Sequence, residues 1–196
     1  MEYNAEKIAQ WFINRSALDV EMNHGDGEYI TNMKLQKMLY FVQGLSLAIK
    51  GKPVFKEALQ AWLHGPVVKS VYSKYKVCGH DTIEDVEPVI VDEETSALLE
   101  FVYQRYGKYS ASELRKITHA QSPYKKHYQE SKNNIIPLPD IKAEFLKEKD
   151  ALIADFNTNK QEYLNYAETN YLNSVPNIKE TLQADEFVTV DWKSAL

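Results

Sequence analysis

The stretch Ala61-Trp62-Leu63-His64-Gly65-Pro66-Val67-Val68 is the one around which the rest of this 196-residue chain is organised. Proline fixes φ at about −65° and lacks an N–H, so Pro66 suits the first position of a helix. Gly65 before it reaches backbone angles closed to other residues and lets the chain turn sharply. Trp62 adds a large apolar surface whose indole N–H needs a partner wherever the ring is buried. Together they read as a rigid architectural corner, with Trp62 as a buried anchor, Gly65 as a hinge and a third helix starting at Pro66.

Upstream, Leu35, Met38, Leu39, Val42, Ser46 and Ile49 recur at spacings of three and four, which predicts a helix. Thr31 can cap it, and Gly51 and Pro53 stop it. Lys37 and Tyr40 flank its apolar stripe and are free to face solvent or a partner. Ala5, Ile8, Ala9 and Phe12, with Trp11 beside them, predict an earlier helix ending at 16–19. The span 54–62 is open between an extended segment and a short helix.

Downstream, Val68, Val71, Tyr72 and Tyr75 continue the third helix towards Gly79. Residues 82–91 read as a loop with one short strand, interrupted by Pro88. Asp92 can cap a helix carrying Leu98, Leu99, Val102, Tyr103 and Tyr106, with Gly107 after its end. Ser110 and Glu113 match a capping box ahead of Leu114 and Ile117. Ser122-Pro123 can start a short helix, 133–139 reads as a loop, and Asp140 restarts a helical pattern through Ile141, Phe145, Leu152 and Phe156. Asn157-Thr158-Asn159 reads as a break. Beyond it Tyr163, Tyr166, Ala167, Asn170 and Tyr171 share a face, and 186–192 alternates like a strand. The expected architecture is mainly α: a compact multi-helix single domain over 1–150, a minor β element, and a C-terminal helical extension and tail over 151–196.

A hydrophobic fraction of 44% with 12% aromatics supports a packed core and excludes bulk disorder. Thirteen tyrosines against seven phenylalanines favour surfaces that are apolar on one side and polar on the other, interfaces among them. A net charge of −5 supplies no global basic field to draw the chain to nucleic acid. The single cysteine, Cys78, forbids an internal disulfide and fits a reducing compartment. Met1-Glu2-Tyr3-Asn4 opens no signal peptide, and no stretch approaches the ~20 apolar residues that cross a bilayer. The expectation is a soluble, cytoplasmic protein without a membrane partner.

Enzymatic tools are missing from the sequence. It has no Gly-rich phosphate loop, no His-Glu-x-x-His, no Gly-x-Ser-x-Gly and no paired-cysteine zinc spacing. The acidic loop 23–28 lacks the alternation and closing glutamate of a calcium loop and reads as a plain turn. Cys78-Gly79-His80 puts a thiol next to an imidazole, but neighbours at a helix end seldom point together. His64, His119 and His127 are the remaining acid–base candidates. His119, at the end of its helix, is expected to be favoured as a cation by the helix dipole, its ring bonding a backbone carbonyl to pin the Ser122-Pro123 turn. No catalytic residue, metal or cofactor is expected. Arg115-Lys116, Lys125-Lys126-His127, Lys69, Lys74 and Lys76 alternate with Tyr72, Tyr75, Tyr124 and Tyr128. They suit either a nucleic-acid face or an acidic protein partner.

Four motifs follow one another in order: Leu35-Gln36-Lys37-Met38-Leu39-Tyr40, Ala61-Trp62 with Gly65-Pro66-Val67, Val71-Tyr72, and His119 with Pro123-Tyr124. In that order they resemble the Panacea domain, also called the SocA-like or phage-associated GepA-like domain. The resemblance covers most of 1–150. Lys69 departs from it, where a proline often follows the Gly-Pro-Val, and so does Tyr124, where the family usually has tryptophan. It implies structural or partner-binding roles for Lys37, Tyr40, Trp62, Gly65, Pro66, Val67, Tyr72, His119, Pro123 and Tyr124. It further implies a non-enzymatic antitoxin, prophage-associated, that neutralises a co-encoded toxin by direct binding or by delivery to an ATP-dependent protease. The alternative is a nucleic-acid-binding phage or prophage regulator. In the extension, Tyr163, Tyr166, Tyr171 and Trp192 are candidates for recognising the partner or for covering the core.

Overall fold

A computed structural model describes residues 3–24 and 29–166. Along them run α1 (Ala5–Met22), α2 (Asn32–Ile49), β1 (Leu59–Trp62), β2 (Gly65–Val68), α3 (Lys69–Tyr75), α4 (Glu93–Tyr106), α5 (Ala111–Ala120), α6 (Ser122–His127), β3 (Asn134–Ile135), α7 (Leu138–Phe145) and α8 (Lys149–Tyr166), with 3-10 turns at Lys76–Cys78 and Leu146–Glu148. The fold is mainly helical with a minor, three-stranded β element. The loop segment 25–28, residues 167, 170 and 171, the stretch 186–192 and Trp192 lie outside the described residues.

Capping side chains set the helix starts. Asn4, Thr31, Asp92 and Ser110 each accept a first-turn N–H, and Ser110 with Glu113 completes the capping box. α2 is the centre of the molecule, with α1, α4, α5, α7, α8 and the β1–β2 hairpin against it. Its apolar stripe meets neighbours on every side, so even its polar residues are buried. Lys37 and Tyr40, which periodicity alone leaves free to face outward, are 1% and 0% exposed. Two buried amides of α2 are satisfied: Gln43 Nε2 donates to the Phe55 carbonyl, its Oε1 accepts from Val54 N, and Gln36 Oε1 accepts from Val68 N. Gly44 lets α7 approach, since a Cβ there would lie 2.1 Å from the Phe145 ring.

The corner differs from the reading of its sequence. Gly65–Val68 is strand β2, antiparallel to β1 across a Leu63-His64 turn, and the helix begins only at Lys69. The span 54–62 is accordingly extended, ending in β1. The sheet order is β2-β1-β3, so Pro66 sits on an edge strand, where a missing N–H is tolerated. Local preference allows Pro66 in either setting; pairing with β1 and the Gln36 bond to Val68 choose the strand. Gly65 is required there, because its φ is +103° and a Cβ would lie 2.7 Å from Lys37 Cε.

Four further boundaries move, each for a tertiary reason. α1 continues to Met22, because Arg15 binds Asp19 one turn on and the Tyr103 hydroxyl donates to Asp19 at 2.8 Å. No strand forms within 82–91; Thr82 makes only an isolated bridge to Thr31. β3 forms inside the expected 133–139 loop by pairing with β1, and α7 starts at Leu138. The expected break at 157–159 is not made. Thr158 Oγ1 bonds the Ala154 carbonyl at 2.8 Å, Asn159 Nδ2 bonds that of Asp155 at 3.1 Å, and α8 runs through. Phe156 and Tyr163 lie 5.5 and 5.8 Å from the Phe101 ring, so α8 packs on α4 and crosses residue 150 without interruption. Tyr163 is 5% exposed and belongs to the core, while Tyr166 lies over the Arg15 guanidinium at 4.4 Å.

Candidate functional site

The start of α2, the hairpin, α3 with its following 3-10 turn, and α5 frame a groove of about 440 Å³. Met33, Trp62, Leu63, Val67 and Tyr72 give it apolar walls, and Lys37, Lys76 and Arg115 line it as basic side chains beside His64 and His80. No Asp or Glu is among its lining residues.

Trp62 is half-buried, not the enclosed anchor expected from its sequence. Its Nε1 donates to Gln60 Oε1 at 2.9 Å, and its ring meets Tyr72 edge-on with centroids 4.9 Å apart. Leu63 and Tyr72 beside it are 60% and 37% exposed. Trp62→Ala is therefore expected to lower stability by about 1–2 kcal/mol, short of the ~3–5 kcal/mol of a fully buried ring. Urea unfolding of the variant measures this, and a loss in the full-burial range would contradict a groove-lining ring.

Behind the hairpin, the Tyr124 hydroxyl donates to the Trp62 carbonyl at 2.9 Å and ties α6 to β1. His119 stacks on Tyr124 with ring centroids 4.1 Å apart, and Tyr128 also stacks on Tyr124, at 5.2 Å. His119 is not the helix-end cation expected, nor is its Nε2 bound to a carbonyl. That nitrogen is buried with no partner among the described residues. Burial, then Arg115, Lys37 and His64, hold its pKa down to about 4. Burial and the neighbouring cations act against the charged imidazole, and its ring stacking on Tyr124 joins backbone bonds such as Gln121 N to the Thr118 carbonyl, at 3.3 Å, in holding the α5–α6 junction.

Lys37 lies at the floor of the groove, its Nζ donating to the Pro66 carbonyl at 3.0 Å. Burial, and Arg115 after it, push its pKa down to about 7. Arg115 Nε is buried with no partner among the described residues. The structure thus brings Lys37, Trp62, Gly65, Pro66, Val67 and Tyr72 together, with His119 and Tyr124 behind them. It does not bring Tyr40 or Pro123 to the groove. Tyr40 packs on Phe41 and Phe145 in the core, where burial, then Glu144 and Tyr106, raise its pKa. Pro123 opens α6. Arg115 reads in the sequence only as a surface basic residue; its spacing of four from His119 on α5 is the signal that puts both on one face.

The basic, tyrosine-rich face expected from the sequence is not continuous. Tyr75 and Tyr124 are buried, the former bonding Gln10, and Lys126 and His127 are paired with Asp140 at 3.1 and 2.7 Å. Among the described residues no cluster of three or more His, Cys, Asp and Glu is placed to hold a metal ion. No described helix is long and apolar enough to cross a membrane.

A helical domain wrapped around one buried helix, presenting a groove with apolar walls and cationic floor, is the class that this geometry defines. Residues 35–125 match the family described as Antitoxin SocA-like, Panacea domain. The chain is also 31% identical over 131 residues to Antitoxin SocA of Caulobacter vibrioides. That match takes in 60% of this chain and spans 65% of the relative's length. No solved structure matches. Every motif position from Lys37 to Tyr124 falls inside the matched segment.

Proposed function

We propose that this chain is a non-enzymatic, antitoxin-type module that neutralises a toxin protein in the cytoplasm by binding it through the groove between α2, the hairpin and α5. One observation carries this reading. The motif positions Lys37, Trp62, Val67 and Tyr72 line one groove, with Gly65 packed against Lys37, inside the segment 35–125 that matches the Antitoxin SocA-like, Panacea domain family. Two of them, Trp62 and Tyr72, leave aromatic surface uncovered there, and these residue types dominate binding hot spots. In this reading 1–150 is the domain that presents the groove, and 151–196 is an extension whose Tyr171 and Trp192 help to choose the partner. Blocking the toxin and delivering it to an ATP-dependent protease both begin with the same contact.

Co-expression with the toxin encoded beside this chain tests the proposal. Wild-type chain is expected to restore growth, and Tyr72→Ala, folded by circular dichroism, to restore it poorly. Repeating the assay in a host without the protease separates the two routes, since only blocking survives there. Failure of the wild-type chain to protect against that toxin would overturn the antitoxin reading. Tight, sequence-specific DNA binding at about 0.15 M salt would replace it with that of a regulator.

A further inference from the structure

The groove is positive in a chain whose net charge is −5. Buried charges are ordinarily paired, and this chain follows the rule at its other deeply buried cation. Arg15 meets Glu100 at 2.8 and 3.1 Å, with both side chains enclosed. At the groove, among the described residues, one buried cation lacks such a partner, and a neighbouring half-buried one leaves a buried donor unmet. The Lys37 amine, 1% exposed, has the Pro66 carbonyl as its hydrogen-bonding partner, although a protonated amine carries three donors. Arg115 Nε is buried with no partner among the described residues. Lys37 and Arg115 also repel each other, and no carboxylate lines the groove to offset them.

We propose that this cluster receives the carboxylate of an acidic side chain on the protein partner. Lys37 and Arg115 take its oxygens while an adjacent apolar side chain of the partner lies against Trp62 and Tyr72. The inference deepens the protein-binding role proposed above and rests on it. Charge-assisted hydrogen bonds to a carboxylate are short and strong, and the planar Arg fork suits them. Size and polarity select the occupant. About 440 Å³ is the volume of a ligand pocket, far more than one carboxylate or phosphate fills. Met33, Leu63 and Val67 cannot replace the hydration shell of a free dianion. A carboxylate on a peptide brings one charge and its own apolar neighbours. Because the two cations are already held together in the free chain, the anion gains their attraction without ordering them.

His119 reports occupancy, since Arg115 and Lys37 help to hold its pKa down to about 4. The full chain is titrated by NMR with acetylated and amidated Leu-Glu-Leu, with the same peptide carrying Gln in place of Glu, and with inorganic phosphate. The Glu peptide is expected to shift the His119 ring resonances and raise its pKa, as the cations around it are neutralised. Its affinity is expected to fall about tenfold or more in Arg115→Gln, and equally with the Gln peptide. Equal binding of the Gln and Glu peptides would overturn the inference, as would binding of phosphate without the Glu peptide or unchanged binding in Arg115→Gln. Toxin rescue separates it from the functional reading. Rescue that Arg115→Gln leaves intact sinks the carboxylate site alone, whereas Glu-peptide binding without any rescue sinks the antitoxin role alone.

Discussion

Lys37→Met is expected to make the folded chain more stable, by on the order of 4 kcal/mol at pH 6, while weakening its hold on a partner. Burial and Arg115 bring the Lys37 amine from its ordinary 10.5 down to about 7. Each pKa unit is worth about 1.4 kcal/mol between the two states, and the lost hydrogen bond to Pro66 gives back about 1 kcal/mol. The direction with pH follows from proton counts. Between pH 7 and 10.5 the unfolded chain binds a proton that the folded chain does not, so stability rises with pH across that window. Below pH 7 the folded amine is charged as well, and the full burial penalty is present. The gain from Lys37→Met is thus largest below pH 7 and fades towards pH 10. Urea midpoints of both proteins across that range check it; a variant less stable than wild type, with the same pH slope, would show that the amine is not buried as a cation. A lysine that weakens the fold at the floor of the groove is what the binding role proposed above expects.

Arg15→Met is expected to act in the opposite sense, lowering stability by about 3–5 kcal/mol. It would strand Glu100, which is 0% exposed and takes two bonds from the guanidinium. It would also remove a cation seated 4.5 Å from the Tyr103 ring and 4.4 Å from that of Tyr166, and with it the tie between α1, α4 and the end of α8. The double variant Arg15→Met/Glu100→Leu is expected to recover most of the loss, because replacing both partners leaves no buried charge unpaired. Denaturant unfolding of the single and double variants completes the cycle. A single variant within about 0.5 kcal/mol of wild type, the range of ordinary surface changes, would contradict a buried, structural pair.

The sequence and the structure agree where the deciding contacts are local. Thr31, Asp92 and the Ser110/Glu113 box start α2, α4 and α5 as their spacing predicts, because donor and acceptor lie within three residues. They part where the same residues have two local options. Asn157-Thr158-Asn159 suits a break as well as a helix whose side chains bond back to its own carbonyls; Phe101, holding Phe156 and Tyr163, decides for the helix.

By itself, then, the sequence determined the helical class of the fold, the starts of α2, α4, α5 and α6 and, through the order of its motifs, the family resemblance. Those depend on periodicity and capping, which act over a few residues. Only the tertiary structure decided that Pro66 lies in a strand, that Trp62 lines a groove, and that Lys37 is buried beside Arg115. Periodicity describes one helix against one neighbour, and by that measure a lysine flanking the apolar stripe of α2 faces water. α2 is enclosed on all sides, and the elements that close over Lys37, the hairpin at Gly65 and α5 at Arg115, stand 28 and 78 residues further along the chain. The burial that shifts its charge belongs to that enclosure and not to α2 alone.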